Sequence, residues 1–81
     1  MARWTIEQAK RDFTMGYLSG YALHRFHLEN SFWLVYLIDD HKAEGPLVDA
    51  RNREPRRFKT LDSAVNAIEQ CGFSVDALVK L

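Results

Sequence analysis

The feature that most constrains the fold is the segment from Arg51 to Phe73, which joins turn signals and a basic stretch to a capped amphipathic helix. Thr60 is placed to accept the free N–H groups of the first helical turn, and Asp62 adds a negative charge at the positive end of the helix dipole. Apolar residues then recur at helical spacing: Leu61, Ala64, Val65, Ile68 and Cys71. Gly72 predicts the end of this helix, because glycine enters the left-handed conformation at little cost, and Phe73 is expected to fold back onto the helix.

Two extended stretches precede that helix and flank a turn at residues 52–55. Residues 48–51 and 56–59 have the pattern of two strands, which predicts a hairpin. Pro55 has no backbone N–H group, so we expect it at the turn or on a sheet edge. The alternation also predicts that Phe58 points inward.

The amino-terminal part begins with a capping box, Thr5 followed three residues later by Gln8. Helical spacing of the apolar residues that follow predicts a first helix from about Thr5 to Ser19, stopped by Gly20. Gly16 lies inside that predicted helix and costs it about 1 kcal/mol relative to alanine.

Two strands are predicted next, from Tyr21 to Leu28 and from Phe32 to Ile38, with a short turn between them. The second is apolar on both faces, which is typical of a central strand. In a small antiparallel sheet one face normally meets water, so one of two residue sets must form a second, open face. Either set is consistent with the pattern: Trp33 with Val35 and Leu37, or Tyr36 with Phe32, Leu34 and Ile38. Residues 74–81 are compatible with a short strand or a helical turn.

These elements predict one α+β domain over residues 1–81: an N-terminal helix, a three- to four-stranded antiparallel sheet, and a C-terminal helix packed on one sheet face. Apolar residues make up 47% of this 81-residue chain, which favours a tight core or a hydrophobic surface completed by a second copy. We therefore expect both helices on one face and a homodimer through the other.

Eleven basic and eleven acidic residues give a net charge of zero, which argues against a dedicated nucleic-acid coat but not against local patches. The chain starts without a cationic and apolar leader, and its longest apolar run is too short to span a bilayer. We expect a cytoplasmic protein without membrane contact. Its one cysteine, Cys71, excludes a disulfide framework and is expected to be a buried structural thiol.

The main candidate binding site is the basic stretch Arg51, Arg53, Arg56, Arg57 and Lys59, whose five bases against Glu54 give a local charge of +4. Arginine binds carboxylates and phosphates through paired hydrogen bonds. Three alternatives stay open: recognition of a protein surface, contact with nucleic acid, or a solvated hairpin whose arginines pair with a neighbouring acidic loop. Trp33 and Tyr36 are the candidate aromatic anchors beside these arginines.

The acidic loop contains Asp39, Asp40 and Glu44, and from Asp39 to Asp49 four acids against Lys42 give a local charge of −3. It is a candidate to bind a cation or to mimic phosphates, although it lacks the alternation of a calcium loop; the alternative is a solvated loop.

Catalytic and metal chemistry are not predicted. His24 and His27 lie three residues apart, which on a strand puts them on opposite faces, and His41 stands alone in the acidic loop. The sequence has no nucleophile–base set and no glycine-rich phosphate loop. We therefore expect no enzyme activity, no metal and no cofactor.

Three stretches between Gly45 and Phe73 carry a resemblance to known proteins: Gly-Pro-Leu-Val-Asp-Ala-Arg at 45–51, Glu-Pro-Arg-Arg-Phe-Lys-Thr-Leu-Asp-Ser-Ala at 54–64, and Cys-Gly-Phe at 71–73. Here the chain resembles small proteins encoded on bacterial plasmids and other mobile elements, some of them partition-associated. The resemblance implies a mobile-element accessory protein and supplies no catalytic residues. In size, aromatic content and separated charge patches the chain is also similar in type to anti-CRISPR proteins, which block host nucleases by mimicry or occlusion.

Together these observations predict a protein that binds a host nucleic-acid machine, such as a CRISPR effector, through protein–protein contacts and modulates or inhibits it. The alternative is a plasmid partition or maintenance accessory protein that contacts DNA through the basic hairpin at residues 51–59.

Overall fold

A computed structural model describes residues 3–26 and 31–75 of the chain. Helix α1 (Ile6–Thr14) is followed by strands β1 (Leu18–Phe26), β2 (Phe32–Asp39) and β3 (Glu44–Pro46), and then by helix α2 (Leu61–Cys71). The strands form an antiparallel sheet in the order β1-β2-β3, and α2 packs against β2. The predicted α+β fold is confirmed. Predictions that concern residues 27–30 and 76–81 lie outside the described residues.

Helix α2 begins and ends where its caps predict. The Thr60 hydroxyl accepts the Ser63 N–H at 3.1 Å, which satisfies a donor that has no partner within the helix. At the other end Gly72 has φ +123°, and its N–H donates to the Glu69 carbonyl at 3.0 Å. Of the apolar stripe, Leu61 is half-buried and the other members are buried, including Cys71, as predicted. Phe73 contacts Phe13 and Tyr21, with ring centroids 4.7 and 5.3 Å apart.

Helix α1 has the predicted capping box but is shorter than predicted. Thr5 and Gln8 exchange hydrogen bonds between side chain and backbone at 3.1 and 3.2 Å. The helix ends at Thr14, and the prediction that it runs to Ser19 is wrong. Gly16 takes φ +81° and turns the chain into β1, so it is the stop that was assigned to Gly20.

The two faces of the sheet differ, and the structure distinguishes the alternatives that the sequence left open. Val35 and Leu37 are fully buried in one core cluster with residues of α1 and α2, and Tyr21, Leu23 and Trp33 pack against that cluster. The alternate residues point to the other face, which neither helix covers. This open face contains Ala22, His24, Phe26, Phe32, Leu34, Tyr36 and Ile38.

The predicted hairpin of residues 48–51 and 56–59 is wrong in its pairing. Val48 and Pro55 form a single antiparallel bridge, and no strand pair extends from it. Phe58 pairs instead with Trp33 of β2, through backbone hydrogen bonds of 2.7 and 2.9 Å. The bonds Asp49 N–H to Glu54 C=O and Arg56 N–H to Leu47 C=O flank that bridge, so Pro55 is at a non-hydrogen-bonded position, where its missing N–H leaves no bond unmade. The second stretch then joins the edge of β2 beyond β3. Phe58 is buried, as its inward direction predicted.

Trp4 closes the sheet on the side of β3. Its backbone N–H donates to the Pro46 carbonyl and its own carbonyl accepts the Val48 N–H. Its indole N–H donates to the Asp12 carboxylate at 2.9 Å. This bond connects the extended segment around Trp4 to α1. The side chain is buried and belongs to the core. In the part of the chain that the structure describes, no helix is long and apolar enough to cross a membrane.

Candidate binding groove

The open face carries a groove beside the segment that follows β3. The groove lies between the ends of β1 and β2 and residues 49–57, and it has a volume of about 560 Å³. Its lining is part apolar and part charged: Phe26, Phe32, Leu34, Asp49, Asn52, Glu54, Pro55, Arg56 and Arg57. We call this feature the aromatic–arginine groove.

The wall of the groove is a turn stabilised by short polar side chains. The Asp49 carboxylate accepts the Arg51 N–H at 2.8 Å, and the Asn52 amide oxygen accepts the Glu54 N–H at 2.9 Å. Such bonds to the backbone two residues further on are the reason that Asp and Asn favour turns. Arg53 takes φ +62°, and its N–H donates to the Asp49 carbonyl at 2.9 Å. The turn thereby directs the chain back across the open face toward Arg57.

Two arginines of this segment lie on aromatic rings. The Arg57 guanidinium is 4.8 Å from the centre of the Phe32 ring, which itself stacks on Phe26 at 5.3 Å with 18° between the planes. The Arg56 guanidinium is 5.1 Å from the centre of the Phe58 ring. A guanidinium over a ring gains cation–π energy and still has its N–H edge free for an acceptor. Both arginines of the groove lining therefore contact an aromatic ring.

The pairing of these arginines with the acidic loop, one of the alternatives that the sequence left open, is not formed among the described residues. Within residues 3–26 and 31–75, Arg11–Asp12 is an ion pair shorter than 4 Å, and His41 lies within 4 Å of the Asp40 carboxylate. Neither involves the basic stretch. In the described residues the groove arginines are thus not neutralised by direct contact with a carboxylate.

The structure brings some of the predicted partner-binding residues together and separates others. Arg56 and Arg57 line the groove, and Arg56 also lines, together with Arg51, a smaller hollow of about 250 Å³ beside the start of α1. Arg53 and Lys59 are exposed outside both features.

The two candidate aromatic anchors lie on opposite faces. Tyr36 is on the open face, edge-to-face with His24 at 4.7 Å. Trp33 packs on the core side, paired with Phe58 and lying 5.6 Å from the Arg25 guanidinium.

The apolar side chains that line the groove, Phe26, Phe32 and Leu34, were not among the predicted site residues. The order of the strands did predict that Phe26 and Phe32 lie side by side. Two consecutive antiparallel strands pair outward from their turn, so a residue that ends the first strand faces the residue that begins the second. Phe26 and Phe32 are such a pair. The position of Leu34 depends on where residues 49–57 cross the sheet, which no local pattern indicates.

The acidic loop is a tight connection between β2 and β3. The Asp39 carboxylate accepts the N–H groups of His41 and Ala43 at 2.8 and 2.9 Å, so it holds the turn together. Asp40 and Glu44 are exposed. Among the described residues there is no group of three or more His, Cys, Asp or Glu side chains arranged to hold a metal ion.

Cys71 differs from the groove residues because it lies in the core. Burial raises the pKa of its thiol, since the thiolate would lose its hydration, and the nearby positive charge of Lys10 opposes this effect only in part. A thiol with a raised pKa is a poor nucleophile at neutral pH. The residue therefore acts as a small apolar side chain of α2.

No protein-family model matches this chain, and neither a search of curated proteins nor a search of solved structures finds a significant match.

Proposed function

We propose that this chain is a non-enzymatic protein of a mobile genetic element that binds a protein of a host nucleic-acid machine, such as a CRISPR effector, and inhibits or modulates it. The observation that carries the proposal is the aromatic–arginine groove, with Arg57 held over the stacked rings of Phe32 and Phe26. The mobile-element origin is supported by the resemblance at residues 45–73. We further propose that the protein acts in the cytoplasm and without a cofactor.

The composition of the groove suits a segment of another protein. Its floor is formed by Phe26, Phe32 and Leu34, and its rim by arginines together with Asp49 and Glu54. Protein interfaces combine an apolar centre with a polar rim, and arginine and aromatic residues contribute most of their binding energy. Because Arg57 already lies on a ring, it loses less side-chain entropy when it binds a partner carboxylate.

Co-elution with purified CRISPR effector complexes on a size-exclusion column tests this proposal. The unmodified protein is expected to co-elute with its effector, and the double change Arg56→Glu and Arg57→Glu is expected to abolish co-elution. Reversing both charges places carboxylates where the partner's acceptors would lie, and loss of one such buried charged contact costs about 2–5 kcal/mol.

A matched control is the double change Lys10→Glu and Lys42→Glu, which also lowers the net charge by four but lies outside the groove. This variant should still co-elute, and circular dichroism should show both variants folded. Equal loss of binding in both variants contradicts the proposal that the groove binds the partner. Binding that survives the double change Arg56→Glu and Arg57→Glu also contradicts it. Failure of every effector in the panel to co-elute removes a CRISPR effector as the partner.

A second candidate function is DNA contact in plasmid partition or maintenance. Two observations favour it: the local charge of +4 at residues 51–59, and a stacked pair of rings beside an arginine, which is an arrangement that nucleic-acid bases can extend. Electrophoretic mobility of duplex and single-stranded DNA distinguishes the two functions. A DNA-binding protein retards DNA at low salt and releases it at high salt, while unchanged mobility at low salt eliminates this candidate.

A further inference from the structure

The two edges of the sheet are treated differently by the chain. On the β3 side the edge strand has three residues, includes Pro46, and is covered by Trp4. These are the devices by which proteins prevent edge strands from pairing with other chains. On the other side β1 has nine residues, and in the described parts of the chain no segment pairs with its outer edge. β1 contains no proline, lysine or acidic residue.

The hydrogen bonds of β2 show which backbone groups of β1 face outward, away from β2. Trp33 and Val35 bond to the segment on the β3 side, at Phe58 and Leu47. Successive residues of a strand direct their N–H and C=O groups to opposite sides, so the alternate residues of β2 bond to β1. In β1 the partners of those residues turn inward, and the remaining three direct N–H and C=O groups outward, where no other described segment bonds to them: Tyr21, Leu23 and Arg25.

We propose that a second copy of this chain pairs with the outer edge of β1, antiparallel and about a two-fold axis at Leu23. The register of β1 with β2 is regular from Gly20 to Phe26, and Leu23 is the centre of that stretch. With Leu23 opposite Leu23 of the second copy, Tyr21 lies opposite Arg25. All outward N–H and C=O groups of these three residues then have partners in the other copy.

The side chains of β1 complement themselves in this register. On the open face Gly20 lies opposite Phe26, and Ala22 lies opposite His24, so each small residue meets a large one. An aromatic ring across from an edge glycine is a known way to fix register. On the helix side Tyr21 faces Arg25, whose guanidinium lies over Trp33 of its own chain, and no two like charges meet. Phe26 is one of the exposed large apolar side chains of the described residues, and pairing would cover it.

A dimer of this kind would join two three-stranded sheets into one continuous sheet, with both aromatic–arginine grooves on the same side. The inference stands independently of the proposed function, because it depends on the edge of β1 and not on what the grooves bind. A net charge of zero also leaves no overall repulsion between the copies.

The first test is the mass in solution, measured by sedimentation or light scattering over a wide range of concentrations. The protein is expected to reach twice the 9.4 kDa of one chain. Arg25→Pro removes one outward N–H and keeps the inward bonds to β2, so it is expected to give a monomer. Arg25→Ala loses the same side chain but retains that N–H, and it is expected to remain a dimer.

A chain that stays monomeric at all concentrations, or a folded Arg25→Pro variant that stays dimeric, overturns the proposal.

A second experiment tests the same pairing of β1 if Arg25→Pro fails to fold. In a Cys71→Ala background, cysteines at positions 22 and 24 lie across from each other between the copies. The Cα atoms of such a non-hydrogen-bonded pair are about 4.5 Å apart, which a disulfide can bridge.

Mild oxidation of the Ala22→Cys, His24→Cys variant should therefore give a covalent dimer. The single Ala22→Cys variant should not, because its cysteines would be diagonal neighbours about 7–8 Å apart. No covalent dimer from the double variant, or equal cross-linking by the single one, overturns the proposed register.

Discussion

At the scale of single residues, the position of Gly72 requires glycine for two reasons, its backbone conformation and its closeness to the Phe13 ring. Its φ of +123° favours glycine, and a Cβ atom there would lie 2.5 Å from the Phe13 ring. We expect Gly72→Ala to lower the free energy of unfolding by about 2–4 kcal/mol, from backbone strain and from overlap with a core ring. Urea unfolding measures this loss.

Gly16→Ala is the matched control for that prediction. Gly16 also has a positive φ, but a Cβ there would meet nothing within 4 Å. It should cost only about 1 kcal/mol, the backbone term alone. Equal losses in the two variants would contradict the close contact between Gly72 and Phe13.

At the scale of elements, the capping box of α1 is the device that sets where the first helix begins. Thr5→Ala removes the hydroxyl that accepts the Gln8 N–H, and we expect it to cost about 1 kcal/mol, or a fall in Tm of about 4–8 °C. Thr14→Ala, in the last turn of the same helix, removes only an exposed bond to the Lys10 carbonyl. Thermal unfolding should show that this control changes the free energy of unfolding by less than about 0.5 kcal/mol. An equal fall in Tm in both variants would refute the stabilising role of the Thr5 cap.

Elements whose ends are fixed by neighbouring residues could be predicted from the sequence. The Thr60 cap and the Gly72 stop define α2 because each acts on the backbone only a few residues away. The role of Gly16 could not be predicted, because a glycine inside a helical pattern is compatible with either a weak helix or a helix end. In the structure the helix ends before Gly16, because Leu18 lies in the core as the first residue of β1.

Pairing between distant segments could not be predicted in the same way. The stretch around Phe58 has a strand-like pattern, but the pattern does not say which strand it joins. The N–H and C=O groups of Trp33 lie beyond the end of β3, and they bond to Phe58, 25 residues later in the chain. Since β2 is apolar on both faces, its sequence likewise could not show which side the helices cover.

At the scale of the whole molecule, the candidate groove is a consequence of that long-range pairing. The basic stretch was identified from the sequence, but only Arg56 and Arg57 of its five bases line the groove. They do so because the Asp49 turn and the Phe58 bridge bring residues 49–57 beside the open face. The groove also includes Phe26, which the sequence places far from these arginines. A site composed of segments from three parts of the chain can be recognised only once the chain is folded.

We propose that this chain acts by occupying a partner and not by turnover. The most direct measurement is a titration of nuclease activity of the effector with which the chain co-elutes, at effector concentrations well above the dissociation constant. We predict that cleavage falls linearly and reaches its end point at a fixed whole-number ratio of chain to effector, and that Arg56→Glu with Arg57→Glu abolishes the effect. Full inhibition at a small fraction of one equivalent, increasing with time of incubation, would contradict the account.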